Sequence, residues 1–371
     1  MSNKTAHSGF GQNIRVEISG GSHEPQMIAK VTGLPAGFAI DMERLGRFMS
    51  LRAPGSSCFC TERKETDEPH ITTGLESDGI TTDGSPLTIV IENNDTRPGD
   101  YERNKNVPRP GHADFTARMK YDRNGEYDGP SMSGGGPFSA RMTAPMCAAG
   151  GIAIQILETM GVKIGAHLFS IGDIYDEPFD PSAVDAETLS ALSESRFPVN
   201  DRAAGEKMKE HIMALKEAGD SAGGIVEAAV AGLPAGIGGS MYDGVESVLA
   251  PILFGIPAVK GIEFGTGFAA SSLKGSENND PFIVKDGHIE TLTNHHGGIL
   301  GGITSGMPLI ARVAFKPTPS ISLPQDSVDM ETMEPVKLKI KGRHDPCVAV
   351  RAVPAVCAAL ALGLLDMITE R

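Results

Sequence analysis

Two short segments of this chain occur twice, in the same order, and they constrain its fold more than any other feature. Val31-Thr32-Gly33-Leu34-Pro35-Ala36-Gly37 recurs as Val230-Ala231-Gly232-Leu233-Pro234-Ala235-Gly236. Downstream of each copy, Gly79-Ile80-Thr81-Thr82-Asp83-Gly84-Ser85-Pro86-Leu87 is echoed by Gly302-Ile303-Thr304-Ser305-Gly306-Met307-Pro308-Leu309. A single Gly-Pro turn recurs for local reasons, because these residues satisfy the same turn dihedrals anywhere. Two echoes in one order favour a duplicated strand-turn unit. The expectation is two related halves packed as one body, a single domain over residues 1–371 with no long polar linker.

Periodicity fills in the halves. Residues 14–18 alternate apolar and polar, as a half-buried strand does, and residues 27–31 read as its partner. Residues 87–91, 225–230 and 309–315 are further apolar strands. Residues 41–51 read as a short helix stopped before Pro54-Gly55. Residues 138–160 read as a central helix kinked at Pro145. Residues 206–218 place Met208, Ile212 and Leu215 on one face, with Gly219 as the stop. The apolar run 353–368 is shorter than the ~20 residues a membrane span needs and contains Asp366, so it reads as a buried C-terminal helix. The acidic stretch 173–201 reads as a surface excursion. The fold class is α+β, a β-α-β sandwich-like body whose strands look antiparallel rather than doubly wound.

Charge and composition narrow the function. The formal net charge is −14, which repels nucleic acid and anionic lipid. With no Trp and few aromatics, a stacking platform for single strands is excluded as well. An anionic small molecule remains possible where Arg and Lys gather locally. Five cysteines, odd in number and scattered, indicate reduced thiols in the cytosol. Cys58-Phe59-Cys60 with His70 nearby lacks a second Cys pair, so no metal is expected. Residues 1–12 are polar and do not read as a signal peptide, which agrees with a cytoplasmic protein.

Gly265-Thr266-Gly267-Phe268-Ala269-Ala270 fits a dinucleotide fingerprint after an apolar strand. The Ser-, Asn- and Asp-rich residues that follow offer no helix N-terminus for a pyrophosphate. Four other segments set His, Arg or Asp among Gly and Pro. They are Gly20-Gly21-Ser22-His23-Glu24, Arg109-Pro110-Gly111-His112-Ala113-Asp114, Gly134-Gly135-Gly136-Pro137-Phe138-Ser139-Ala140-Arg141 and Gly342-Arg343-His344-Asp345-Pro346-Cys347. Such loops let backbone amides and a charged side chain converge on one ligand. One such histidine alone reads as a loop residue, but four such segments in one chain favour an anion site.

These segments resemble the signature stretches of chorismate synthase. Arg63-Lys64-Glu65-Thr66-Asp67, the run from Asn294 to Gly302 and Lys316-Pro317-Thr318 add to the match, in order along nearly the whole chain. The resemblance implies an anti-1,4-elimination of phosphate from 5-enolpyruvylshikimate 3-phosphate to give chorismate. It implies reduced FMN without net oxidation, an outside supply of reduced flavin since no NADPH-reductase domain is visible, and a homotetramer. By the same resemblance His23 faces the substrate and its leaving phosphate. His112 sits beside the flavin, and Asp345 lies near its N5. Arg52, Arg63, Arg109, Arg141 and Arg343 are the substrate-binding candidates, with Arg351 a further one. Ser139, Ala140, Gly301, Lys316, Ser320 and Arg343 match FMN-contacting positions. Arginine suits this role because its planar fork donates paired hydrogen bonds to carboxylate and phosphate. In so acidic a chain these arginines form a basic funnel.

The chain also departs from the family. The usual Gly-Glu-Ser-His-Gly is Gly20-Gly21-Ser22-His23-Glu24, and of a run of three Arg before Pro-Gly only Arg52 remains. Pro137-Phe138 replaces an Arg-Ser, Met142 an acidic residue and Cys357 a glutamate, and residues 123–133 look altered. The charged signature residues are kept, so the expectation is a divergent, active enzyme. The alternatives are a flavin-dependent elimination on a related phosphorylated ring acid and a non-catalytic FMN-binding or assembly paralogue.

Overall fold

In the computed structural model, which describes residues 7–55, 59, 65–94, 106–123, 133–340 and 345–369, the duplicated segments lie at matching places in two five-stranded sheets. The first sheet contains β1 (His7–Phe10), β2 (Arg15–Gly20), β3 (Gln26–Thr32), β4 (His70–Thr73) and β5 (Leu87–Glu92), in the order β1-β2-β3-β5-β4. Leu87, Ile89 and Ile91 alternate inward on β5, as Met27, Ala29 and Val31 do on β3, so one face is apolar and must be covered. In the second half β6 (Lys163–Ile171), β7 (Ile174–Tyr175), β8 (Gly224–Ala231) and β9 (Val259–Phe264) come first. The hairpins β10 (Phe282–Lys285) with β11 (His288–Thr291) and β12 (Ile299–Leu300) with β13 (Ile303–Thr304) follow, then β14 (Leu309–Phe315). The second sheet runs β7-β6-β8-β14-β9, and a last hairpin pairs β15 (Gln325–Val328) with β16 (Pro335–Leu338). The paired strands are antiparallel.

Helices lie between the sheets and on their outer side. In chain order they are α1 (Met42–Arg52), α2 (Asp114–Arg123), α3 (Thr143–Thr159), α4 (Ala186–Ser193), α5 (Arg202–Ala218), α6 (Val245–Phe254) and α7 (Ala349–Ile368), besides short turns. Helix α3 lies on the first sheet, α7 on the second, and the two pack on each other, giving layers β-α-α-β. Small residues allow that approach: a Cβ at Gly150 would sit 2.3 Å from the Cβ of Ala358. One continuous apolar core runs from β2 through both helices to β14. Helix α7 is apolar and long enough to cross a membrane, yet 89% of that stretch is buried inside the fold.

The registers repeat between the halves. Val31 pairs with Leu87, and its duplicate Val230 pairs with Leu309. In the first turn Thr82 Oγ1 donates to Pro35 O at 2.6 Å and accepts from Phe38 N at 3.0 Å. In the second, Thr304 Oγ1 donates to Pro234 O at 2.7 Å and accepts from Ile237 N at 2.9 Å. The chain order β2-β3-α1-β4-β5-α3 is repeated as β6-β8-α6-β9-β14-α7.

Two expectations need correction. The central helix begins at Thr143, and residues before it form 3₁₀ turns, Ser133–Phe138 and Ala140–Met142. Pro145 therefore sits in the first helical turn, where its missing N–H has no carbonyl to meet, and it gives no cause for a kink. Helix α5 starts earlier than its apolar pattern indicates, at Arg202, because the Asp201 carboxylate accepts from Ala203 N and Ala204 N. The acidic segment 173–201 runs over the surface as expected, anchored where Asp176 and Phe179 are buried and where α4 packs on β6.

Candidate active site

The glycine-rich 3₁₀ segment before α3 lies between two histidine-bearing loops. On one side is the β2–β3 connection carrying His23. Gly20 makes the turn possible: its φ is +105°, and a Cβ there would fall 2.6 Å from Gln26 O. Ser22 N donates to Gly136 O at 3.3 Å, tying this loop to the glycine segment. The Nδ1 atom of His23 is shielded from solvent. On the other side is the loop leading into α2. A Cβ added to Gly135, whose φ is +109°, would lie 2.9 Å from His112 Nε2, so only glycine permits this packing.

His112 is oriented by its neighbours. Its Nδ1 lies 2.7 Å from Asp114 Oδ1, and a carboxylate that close calls for a proton on Nδ1. Nε2 then faces the glycine wall. Arg109 grips the same carboxylate with Nε and Nη2, each at 2.7 Å, and its Nη1 donates to Ser320 Oγ at 3.2 Å. Burial alone would raise the Asp114 carboxyl, but the hydrogen bonds from Arg109 and His112 hold it well below the usual range. Lys316 follows β14 and donates from Nζ to Gly111 O. Desolvation, with help from Lys260, lowers its pKa, and its partner is a carbonyl rather than a carboxylate.

Beside this lies a chain of buried ion pairs. Arg52, at the end of α1, and Arg141, before α3, both direct Nη1 to the carboxylate of Asp67, which is 1% exposed. Arg52 also donates to Thr143 Oγ1 at 3.0 Å and Ala140 O at 3.3 Å. Arg141 also donates to Asn93 Oδ1 at 2.9 Å and lies 3.6 Å from Glu65. Arg351 donates to Arg52 O at 2.9 Å and pairs with Asp345 at 2.6 Å. Burial pulls Arg52 down to about 10 against the attraction of Asp67. It would raise Asp67, but the two arginines overcome this and lower it.

The structure thus brings His23, His112, Asp345, Arg52, Arg109, Arg141, Ser139, Ala140, Lys316 and Ser320 into one connected region. Arg63 and Arg343 lie outside the described residues, as do Cys58, Cys60 and His344. The basic funnel needs correction. Arg52, Arg109 and Arg141 each meet a carboxylate of the protein, because an unpaired buried guanidinium is too costly. Ser139 Oγ caps the 3₁₀ turn by accepting from Arg141 N. Gly301 is also placed elsewhere. It lies in the β12–β13 hairpin before β14, whereas Lys316 follows β14, at the other end of that strand.

Sequence reading missed Asp67, Asn93 and Asp114 as partners, and Thr318, whose buried Oγ1 has no hydrogen-bond partner among the described residues. Asp114 carried a signal, since it lies two residues beyond His112 at the start of a helix. Asp67 stood in a signature stretch with nothing to mark it as a partner, and Asn93 carried no signal, being far in sequence from the groups it serves. The Gly265 segment turns into a 3₁₀ stretch, Gly267–Ser272, and no long helix follows it, as expected. Among the described residues no group of three His, Cys, Asp or Glu could hold a metal. A cleft of about 600 Å³ opens between α1, α3, β6 and α7, but none of the residues of these clusters lines it.

Comparison with known proteins identifies the family. A family model described as chorismate synthase matches residues 14–369. The chorismate synthase of Lancefieldella parvula is 45% identical over 369 residues, covering 97% of this chain and 95% of that protein. Those of Korarchaeum cryptofilum and Thermococcus kodakarensis are each 43% identical, covering 97% of this chain and 96% and 97% of theirs. A crystal structure of chorismate synthase superposes with a TM-score of 0.72 at 24% identity, over 96% of this chain and 92% of that one, so the fold is shared.

Proposed function

The chain belongs to the chorismate synthase family, and from that premise we propose that it eliminates phosphate from 5-enolpyruvylshikimate 3-phosphate to give chorismate. The reaction is a lyase step of the shikimate pathway toward aromatic amino acids, an anti-1,4-elimination with no net redox change. The observation that carries the reading is the meeting of the His23 and His112 loops on one glycine turn, beside a row of buried arginines. Residues 1–371 act as one domain, since one apolar core joins both halves.

The residues have separable tasks. Loss of phosphate leaves negative charge on oxygen, and His23 supplies a proton or a positive charge there. His112, held by Asp114 with Nε2 outward, steadies the group opposite. Asp345, kept close to Arg351, takes part in proton traffic. Arg63 and Arg343, together with Lys316, attract the anionic groups. The buried arginine row fixes the wall behind them.

Reduced FMN is the cofactor that belongs to this chemistry, and the residues fit a phosphorylated flavin. Thr318 offers a buried hydroxyl with no partner among the described residues. Lys316 nearby donates to the Gly111 carbonyl, and glycine at position 135 leaves the wall next to His112 without a side chain. Thr318, Lys316 and Ser320 would hold it, with Ala140 backbone nearby. When bound, the reduced flavin lends electron density as phosphate leaves and assists removal of the ring hydrogen. An outside system reduces it, and the protein works in the cytoplasm.

An anaerobic assay with 5-enolpyruvylshikimate 3-phosphate and chemically reduced FMN tests the reading. Chorismate and phosphate should appear together, and neither with oxidised FMN under air. A folded, FMN-binding protein that yields neither product would overturn it. We also infer a homotetramer. Phe282, Val284, Ile289 and Leu292 stand exposed on and beside the β10–β11 hairpin, more apolar surface than a lone chain usually presents. Light scattering should give four times the 39.0 kDa chain mass, and a monomer would refute this.

A further inference from the structure

We propose that Asn93 is a positioning residue, a buried carboxamide that sets the His23 loop and the Arg141 guanidinium in register with each other. It stands just past the end of β5 and is 8% exposed. Its Nδ2 donates to Gly21 O at 3.1 Å and to Glu24 O at 2.7 Å. These carbonyls flank Ser22 and His23, so one amide group clasps the base of the histidine loop. Its Oδ1 accepts from Arg141 Nε at 2.9 Å, and its backbone N donates to Pro25 O at 2.9 Å. Only this orientation of the amide is satisfied. Turned over, it would set its oxygen against two carbonyls and its NH₂ against an arginine donor.

The duplication shows that the fold itself does not require an amide here. Counting along from the matched pair Leu87 and Leu309, the place of Asn93 is taken in the second half by Phe315, which is buried. An apolar side chain serves that position in the sheet without the cost of burying polar atoms. The first half instead carries a group whose three side-chain hydrogen bonds all go to the His23 loop and Arg141. Arg141 in turn shares Asp67 with Arg52, so the clasp connects the histidine loop to the whole arginine row. Asn93 touches no reacting atom and acts through His23 and Arg141. The inference rests on the reading of His23 as the group facing the leaving phosphate.

Two variants separate its arms. Asn93→Ala removes all three bonds. Asn93→Asp is nearly isosteric and keeps an acceptor for Arg141, but it turns an oxygen toward the carbonyls of Gly21 and Glu24. Both should lower kcat roughly tenfold to a hundredfold, the scale of a small misplacement of a reacting group. FMN affinity should stay within about twofold, because the His112 and Lys316 side is untouched. In Asn93→Ala combined with Arg141→Lys, the losses should fall short of multiplying, as for residues in one network. Protein labelled with ¹⁵N-histidine supplies a readout independent of turnover: the ring signals of His23 should move in both variants while those of His112 stay. Unchanged kcat with unmoved His23 signals would overturn the inference, and so would equal movement of His23 and His112, which marks general loosening. If the unaltered protein releases no phosphate, the functional reading falls by itself, and the ring signals still decide whether Asn93 positions His23.

Discussion

Arg52 and Arg141 illustrate how little a side chain's chemistry is fixed by its own identity. Taken alone, each is a fork suited to carboxylate or phosphate. In the fold both forks close on Asp67, and Arg351 closes on Asp345, so these arginines build the wall of the site. Histidine behaves differently here, because the loops of His23 and His112 meet at glycines rather than at bulky side chains. The prediction at this scale is that His23→Ala and His112→Ala each lower turnover by roughly 10² to 10⁴ while melting like the unaltered protein. Full turnover in either would remove that histidine from the mechanism. Burial pushes the thiols of Cys147 and Cys357 up to about 12, so neither supplies a thiolate near neutral pH.

Among the elements, α7 does the most to hold the halves together. It is apolar on every side because it packs between α3, the second sheet and α6. Its one acid, Asp366, excluded a membrane span in the sequence reading, and in the fold it has a specific task. The carboxylate accepts from Gln12 N at 2.9 Å, Asn13 N at 2.6 Å and Ile14 N at 2.7 Å, fastening the lead-in to β2 against the last helix. Asp366→Ala leaves three backbone donors without this acceptor, at about 1–3 kcal/mol for each one that stays buried. The urea midpoint should therefore fall by an amount worth about 3 kcal/mol or more, with the unfolding slope unchanged. A midpoint equal to that of the unaltered protein would show that water replaces the carboxylate at no cost.

For the whole molecule, the second sheet contains a buried charge cluster that the active site does not use. His167 Nδ1 lies 2.7 Å from Asp176, and Nε2 lies 2.9 Å from Glu227. Arg312 on β14 pairs with Glu227 and reaches toward Glu263 on β9. Asp176 accepts from the backbone of Asn200 and Asp201, and Glu227 from Phe179 N, so the cluster anchors the acidic segment to the sheet. Burial alone would push the His167 imidazole down, but the hydrogen bonds to Asp176 and Glu227 more than reverse this and raise it. A raised histidine stabilises fully below its ordinary value of about 6.5, and that stability fades as pH climbs through the raised value. The melting temperature should therefore fall as pH climbs above the ordinary histidine value of about 6.5 in the unaltered protein, and the fall should be shallower in His167→Gln. Parallel profiles would show that the imidazole does not change charge on folding.

The sequence by itself determined what local pattern and repetition can carry. Period-two alternation gave the strands, the paired Gly-Leu-Pro-Ala-Gly turns gave the two halves, and the ordered signature segments gave the family. Apolar residues all round with a single acid gave the buried last helix. What only the tertiary structure decided is which charges meet. Asp67 serves Arg141 across 74 positions, and Asn93 reaches back to Gly21 across 72, distances over which no periodicity operates. It also decided that Gly301 lies at the far end of β14 from Lys316, and that Arg52, Arg109 and Arg141 of the expected funnel are paired within the protein. Strand and helix patterns follow from the dihedral repeat of neighbouring residues, whereas ion pairs depend on which layers the folded chain stacks together.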